Sequence, residues 1–176
     1  MADVAGGQMF LAGTYELTID AKNRLSVPFG IRRKLSEDRD GQAFYVLPGR
    51  RPGTLALYPE KYYERLRGDL PPDDSLSDAA YEYRQFEYSQ SALLEPDGQG
   101  RVLIPERLLK RAGLDKDVVL IAVRDHLELW RRADFEEFER RQWQDYPQQR
   151  ARAMAEMKEL AARCEAGSED DSRRDG

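Results

Sequence analysis

A nine-residue motif occurs twice in this chain, and this duplication constrains the fold more than any other feature of the sequence. Residues 20–28, DAKNRLSVP, align with residues 97–105, DGQGRVLIP, at an offset of 77 residues. The Asp, Arg and Pro coincide, and the apolar positions between Arg and Pro agree. Further on, residues 55–66 align with residues 127–138 at an offset of 72. Such self-similarity predicts two copies of one supersecondary unit.

Each copy begins with the pattern of a strand, a tight turn and a second strand. Residues 14–19 alternate polar and apolar side chains with the period of a half-buried strand. An Asp at the start of a turn accepts hydrogen bonds from backbone amides two residues on, and Asn and Gly tolerate the left-handed conformation of tight turns. We therefore predict a β-hairpin in each copy, with four structural turn residues: Asp20, Asn23, Asp97 and Gly100.

A helix and two further strands complete each predicted copy. Pro28 and Pro105 end the second strands, and their restricted φ and missing N–H suit the first position of a helix. The second of these helices has Leu108 and Leu109 for its inward face and Gly113 as a C-terminal stop. Strands are predicted after the helices at residues 44–47 and 54–58 in copy one and at 118–123 and 127–130 in copy two.

The remaining segments connect or extend the two copies. Residues 77–88 have the pattern of a linking helix, and residues 148–164 place apolar side chains on one stripe of a terminal helix. We predict an α+β protein with a first repeat domain at residues 14–63 and a linking loop and helix at 64–90. A second repeat domain at 91–134, C-terminal helices at 135–165 and a disordered acidic tail at 166–176 complete the prediction.

The distribution of charge is more informative than its sum. The net charge of −5 is unfavourable for a nucleic-acid partner, because phosphates require a positive surface. From Asp20 to Leu35, however, five basic residues stand against one acidic residue. Residues 97–112 hold four basic and two acidic residues, and residues 165–176 are acidic. Copy one therefore carries the stronger basic patch.

The apolar runs are far shorter than the roughly 20 residues of a membrane-spanning helix. The first eight residues lack the basic and apolar regions of a secretory signal, and the single cysteine, Cys164, provides no disulfide framework. We therefore expect a cytoplasmic protein without a membrane partner.

The duplicated turn motif resembles the MraZ family, within the broader AbrB-like group of transition-state regulators. Both copies have Asp-x-x-x-Arg followed by an apolar strand, a proline and a helix. The resemblance covers residues 9–138 and extends to further landmarks: MFL at 9–11, LYP at 57–59, RQF at 84–86 and LELW at 127–130. Asn23 departs from the family pattern, which has Gly at this place in the turn, and residues 1–8 precede the usual Met-Phe start.

The resemblance implies a fold, a partner and a role. The fold would be two intertwined AbrB-like hairpin-and-helix repeats that form a pseudo-dimeric, barrel-like core, with several chains assembling into a ring. The partner would be double-stranded promoter DNA with short direct repeats, and the role would be repression of the division and cell wall gene cluster in the nucleoid. A ring suits such a target, because identical subunits at regular spacing gain avidity on successive repeats.

Seven basic residues are the candidate DNA contacts. Arginine is well shaped for phosphate or guanine, but Arg24 and Arg101 also follow an Asp by four residues. An ion pair that stabilises the turn is therefore an equally good interpretation of each of these two arginines, and both roles can coexist. A solvated helix face is the alternative for residues 32–34. The candidates are Lys22, Arg24, Arg32, Arg33, Lys34, Arg101 and Arg107.

Enzymatic and metal-binding functions are not indicated. His126 is the only histidine, and its place between two predicted strands favours a surface or hairpin role. One Cys and one His cannot form a standard zinc site, and no phosphate-binding loop with a Lys-Ser/Thr ending is present. We expect no cofactor, metal or small-molecule substrate. The alternatives to a DNA-binding regulator are an oligomeric scaffold or interaction protein without DNA contact and, less favoured, a toxin-neutralising AbrB-like antitoxin.

Overall fold

The computed structural model describes residues 9–171, except for the side chains at residue 74 and from residue 163 onward. The chain divides into two compact units between Phe135 and Glu136, and both copies of the repeat lie in the first. The strands are β1 Leu11–Thr18, β2 Arg24–Ser26, β3 Phe44–Pro48, β4 Thr54–Pro59, β5 Ala92–Leu94, β6 Arg101–Leu103, β7 Asp117–Arg124 and β8 His126–Arg131. The helices are α1 Phe29–Arg32, α2 Glu37–Asp40, α3 Glu60–Gly68, α4 Asp78–Gln90, α5 Glu106–Ala112, α6 Arg132–Gln144 and α7 Tyr146–Asp171. The protein is therefore of the α+β class.

The two copies exchange strands instead of forming the predicted hairpins. The turn after β1 forms, but β1 pairs with β7 and β2 pairs with β6, so each strand finds its partner in the other copy. The prediction of a hairpin around the Asp-x-x-x-Arg turn of each copy is therefore wrong, whereas the later strands of each copy do form antiparallel hairpins, β3 with β4 and β7 with β8. The physical reason is burial: the exchange places Leu25, Val27, Val102 and Ile104 in one shared core, where each is at most 1% exposed.

The main sheet has the strand order β1-β7-β8-β4-β3-β5, and β2 and β6 form a separate ribbon. In this sheet β1 is equivalent to β5, β3 to β7 and β4 to β8. Each strand of one copy therefore lies as far from one edge as its equivalent lies from the other edge, and the sheet has an approximate two-fold symmetry. At its centre β4 pairs antiparallel with β8, and Ala56 lies opposite Glu128, its equivalent in the repeat. β1 and β5 are the edges of this sheet, so the described strands do not close the barrel that the family resemblance implied.

One hydrophobic cluster joins both copies. It contains Leu57 and Phe44 from copy one together with Leu120 and Leu129 from copy two, and each is at most 1% exposed. Burying such side chains stabilises a fold by roughly 1.5–3 kcal/mol each relative to exposure. Because the cluster draws on both copies, neither copy has a complete core of its own.

The helices of the repeats begin one residue after the prolines, which were predicted as their first residues. Pro28 and Pro105 are the N-caps of α1 and α5, and Gly113 ends α5 in the left-handed conformation at φ 62°. Leu108 and Leu109 of α5 are buried, as predicted. The linking helix is confirmed as α4, and the side-chain oxygen of its N-cap Ser77 accepts a hydrogen bond from the amide of Ala80.

The second unit contains α6 from Glu136 onward and the long helix α7. The acidic tail was predicted to be disordered from residue 166, but α7 continues to Asp171. Residues 168–171 include no proline that would end the helix. Gly167 lies inside α7, and one glycine costs a helix only about 1 kcal/mol relative to alanine. The rest of the predicted tail, residues 172–176, lies outside the described residues. None of the helices within residues 9–171 is long and apolar enough to cross a bilayer.

Candidate nucleic-acid interface

The two duplicated turns have the same hydrogen-bond geometry. In the first, Asp20 Oδ1 accepts from the amides of Lys22 at 2.8 Å and Arg24 at 3.0 Å. In the second, Asp97 Oδ1 accepts from the amides of Gln99 at 2.9 Å and Arg101 at 3.0 Å. The prediction that both aspartates organise a tight turn is confirmed.

Each turn also contains an ion pair between its Asp and its Arg. Asp20 Oδ2 accepts from Nε and Nη2 of Arg24, both at 2.7 Å. Asp97 Oδ2 accepts from Nε of Arg101 at 2.8 Å and from its Nη2 at 2.7 Å. These side-chain bonds, followed by the backbone bonds, lower the pKa of both carboxyls to about 2. The structural interpretation of the two arginines is thus observed, and both guanidinium groups are held in a defined orientation.

The ribbon of β2 and β6 places these two arginines on one face. Arg24 lies opposite Leu103, and Ser26 lies opposite Arg101. The side chains of Arg24 and Arg101 are 30% and 29% exposed. The intervening residues, Leu25 and Val102, are fully buried on the other face. The strand exchange therefore builds one solvent-facing surface, the ribbon face, from Arg24, Ser26, Arg101 and Leu103.

Arg32 connects the helix of copy one to the turn of copy two. Its Nε donates to the carbonyl oxygen of Val27 at 3.0 Å, and its guanidinium carbon lies 5.7 Å from the ring centre of Phe29. A Cβ atom at Gly100 would lie only 2.6 Å from that carbon. Arg32 therefore packs directly against the turn that carries Arg101.

The structure separates the remaining candidates. Lys22 is exposed in the first turn, and Arg33 and Lys34 are exposed at the end of α1. Arg107 instead donates to the carbonyl oxygens of Ser89 and Ser91, both at 3.3 Å, at the C-terminus of α4. A cation at the C-terminus of a helix interacts favourably with the helix dipole. Arg107 therefore caps the C-terminus of α4 within the chain.

The predicted turn residues Asn23 and Gly100 both adopt the left-handed conformation, with φ of 60° and 75°. Asn is one of the few residues besides Gly that reach this region at small cost. The departure of Asn23 from the family pattern therefore leaves the turn intact.

His126 lies at the turn of the β7–β8 hairpin, as its place between two predicted strands indicates, but its side chain is packed and only 18% exposed. It is the first residue of β8, and its ring stacks on Tyr58 with centres 4.8 Å apart. Burial alone would lower the pKa of His126, but its hydrogen bonds with Glu128 and Asp125 outweigh burial and raise it. Among the side chains that the structure describes, those of residues 9–73 and 75–162, no group of three or more acidic, His or Cys residues is arranged to hold a metal ion.

Sequence reasoning missed the ribbon face because it paired each strand within its own copy. The alternation in residues 24–27 indicates that Arg24 and Ser26 share a face. In copy two, residues 102–104 are all apolar, so the sequence shows no alternation of polar and apolar residues from which the outward direction of Leu103 could be predicted. Aligning Leu103 with Ser26 at the offset of 77 is the signal that could have found it.

Comparisons of this sequence with known proteins identify its family. A family model described as "MraZ protein, putative antitoxin-like" matches residues 88–163. The chain is 32% identical over 151 residues to the transcriptional regulator MraZ of Heliobacterium modesticaldum, which covers 86% of this chain and 95% of the relative. It is 34% identical to the transcriptional regulator MraZ of an Acidovorax species, over 70% of this chain and 84% of the relative. The corresponding protein of Marinobacter nauticus is 30% identical over 67% of this chain and 79% of its own length. The chain therefore belongs to the MraZ family.

Proposed function

We propose that this protein is a DNA-binding transcriptional regulator that contacts duplex DNA through the ribbon face. The observation that carries the proposal is the ribbon itself, which presents one oriented arginine from each copy on a single exposed face. A two-stranded β-ribbon fits the major groove of B-DNA, and arginine is the commonest side chain to contact guanine there. This class of function is supported by relatives that are named transcriptional regulators and that match this chain over most of their length.

The ion pairs orient the arginines for this task. Because Asp20 and Asp97 engage one side of each guanidinium, each side chain is held in one conformer before DNA arrives. A preoriented donor loses less side-chain entropy on binding. The positive charge that attracts phosphates then comes chiefly from copy one, where Lys22, Arg32, Arg33 and Lys34 are exposed.

The finer features of the proposal follow the family resemblance. The two repeats are AbrB-like halves of a pseudo-dimer, several chains form a ring, and the ring binds short direct repeats in the promoter of the division and cell wall gene cluster. Binding represses transcription in the cytoplasm, at the nucleoid. The physical support is avidity, because a ring with regularly spaced ribbons engages successive repeats at high effective concentration.

The test is a titration of the full chain with the duplex found upstream of the organism's own division and cell wall genes. A scrambled duplex of equal composition is the control, and each titration is repeated at several salt concentrations. We expect the promoter duplex to bind at least 10³-fold more tightly than the scrambled one, with a steep loss of affinity as salt rises. Equal affinity for both duplexes would refute sequence-specific recognition. A ring that assembles but ignores both duplexes would instead favour the scaffold function.

The two copies are expected to contribute unequally. Arg24→Ala should weaken promoter binding more than Arg101→Ala, because the turn of Arg24 also carries the exposed Lys22, whereas the equivalent residue beside Arg101 is the uncharged Gln99. Arg50→Ala, which removes an exposed arginine from the loop between β3 and β4, is the matched control and should leave affinity within about twofold. A larger effect of Arg101→Ala would reverse this ranking of the copies.

A further inference from the structure

The ribbon face is symmetric in its backbone but not in its side chains. Antiparallel pairing places Arg24 opposite Leu103 and Arg101 opposite Ser26. In the repeat Arg24 is equivalent to Arg101, and Ser26 is equivalent to Leu103. One half of the face therefore combines an arginine with a leucine, whereas the other half combines an arginine with a serine.

Leu103 is placed for contact and not for packing within the chain. It is 60% exposed, while its neighbours Val102 and Ile104 are fully buried. The serine at the equivalent place is exposed as well, so this position faces outward in both copies. The two turns beside the face have matching hydrogen bonds and ion pairs, and within the face Leu103 and Ser26 are therefore the chemical difference between the halves.

This difference bears on which DNA sequences the face can distinguish. A reader with true two-fold symmetry matches a palindrome, because both halves of the site meet the same side chains. A direct repeat has a polarity, and its recognition requires two chemically different halves. In the major groove the 5-methyl group of thymine is the apolar feature that a leucine can contact, whereas a serine hydroxyl bonds to the polar base edges.

We propose that Leu103 contacts a thymine methyl group in one half of each DNA repeat, while Ser26 bonds to a base edge in the other half. This pair then determines the polarity with which the ribbon reads its site. The inference rests on the proposed function and names the base chemistry that the ribbon face distinguishes.

The first experiment replaces thymine by deoxyuridine, which removes the methyl group and leaves base pairing unchanged. In a promoter duplex with tandem repeats, the same thymine of every repeat is replaced, one position at a time. We expect at least one replacement to weaken binding of the wild-type chain by about fourfold for each methyl contact that is lost. The sensitive positions should lie on one side of the repeat. The inference is overturned if no replacement changes the affinity, or if sensitivity is equal on both sides.

Variants of the face then assign the contact. Leu103→Ser should lose about the same affinity on the thymine duplex and show no further loss on the deoxyuridine duplex. Ser26→Leu should create methyl sensitivity on the opposite side of the repeat. Leu93→Ser is the matched control, because Leu93 is also an exposed strand leucine, at 43%, but lies in β5 outside the ribbon.

The outcomes separate this inference from the function on which it rests. If Leu103→Ser and the deoxyuridine duplex weaken binding independently, or if Leu93→Ser has the same effect, the contact is not made by Leu103 and the inference fails. Promoter recognition by the wild-type chain would still support the proposed function. The replacement scan uses the unmodified protein, so it can overturn the inference even if a variant folds poorly.

Discussion

Asn23 and Gly100 occupy the same place in the two turns but meet different neighbours. Arg32 of copy one packs on Gly100 in the turn of copy two. The residue of copy two that is equivalent to Arg32 is Leu109, which has no charge. A Cβ atom at position 100 would lie 2.6 Å from the guanidinium carbon of Arg32, so the guanidinium can lie against this turn only while residue 100 is glycine. Glycine in the second turn thus leaves room for Arg32, whereas the first turn carries Asn23 at φ 60°.

Gly100→Asn should therefore displace Arg32 without breaking the turn. Asn tolerates a φ of 75°, and a flexible guanidinium can move aside, so we expect a loss of at most about 1 kcal/mol in the free energy of unfolding. Promoter affinity should fall several-fold, because Arg32 loses its orientation. Urea denaturation and DNA titration measure the two effects. In an Arg32→Ala background the same substitution should not weaken binding further, and an additive loss would contradict this cause.

The ion pair of the second turn predicts a pH dependence. Hydrogen bonds from Arg101 hold the pKa of Asp97 at about 2, below its ordinary 3.8, so the folded state favours the charged carboxylate. Its stabilising contribution is therefore complete above about pH 4 and is lost as the pH falls through about 2. Carboxyl carbon NMR should show Asp97 titrating near pH 2 in the wild-type chain and nearer its ordinary value in Arg101→Ala. Titration at the ordinary pH in both proteins would refute the assignment.

At the scale of the elements, local patterns predicted the strands, the helices and the turns that join β3 to β4 and β7 to β8, but not the pairing of strands between the copies. Pro28, Pro105 and Gly113 fixed helix boundaries through backbone restrictions that act within a few residues. The pairing of β2 with β6 depends instead on burying both Leu25 and Val102, which are 77 residues apart in the chain. Nothing local distinguishes this exchange from a hairpin, because both satisfy the same turn. The candidate residues of copy one were predictable, whereas the ribbon face required the tertiary structure.

The linking helix α4 is attached to copy one by a buried ionic contact. Glu87, with a side chain only 7% exposed, pairs with Arg67 and accepts a hydrogen bond from the Tyr63 hydroxyl at 3.0 Å. Removing one partner of a buried pair leaves the other charge uncompensated. We expect Glu87→Ala to lower the free energy of unfolding by roughly 2–3 kcal/mol, since Arg67 is partly exposed. Glu82→Ala on the exposed face of α4 is the control and should change it by less than about 0.5 kcal/mol in urea denaturation.

At the scale of the whole molecule, the two copies form a single folding unit. Strands β1, β2 and β4 of copy one each pair with a strand of copy two, and the hydrophobic cluster draws on both. A copy on its own would expose the edges of these strands and much of its core. Duplication has therefore joined two halves that need each other, and the ribbon face exists only in their combination.

Separating the copies tests this interdependence. The segment between α3 and α4 contains exposed residues, so the chain can be divided after Pro72 into fragments 1–72 and 73–176. We expect fragment 1–72 to be unfolded as a monomer, because it lacks β6, β7 and β8, and to fold only when mixed with 73–176 or when a second copy of itself supplies the missing strands. Far-UV circular dichroism combined with light scattering after size exclusion distinguishes these states. The matched control is the intact chain cleaved at the same bond after folding, which should retain its spectrum. A folded, monomeric fragment 1–72 would show that copy one is an independent domain and that the strand exchange does not determine its stability.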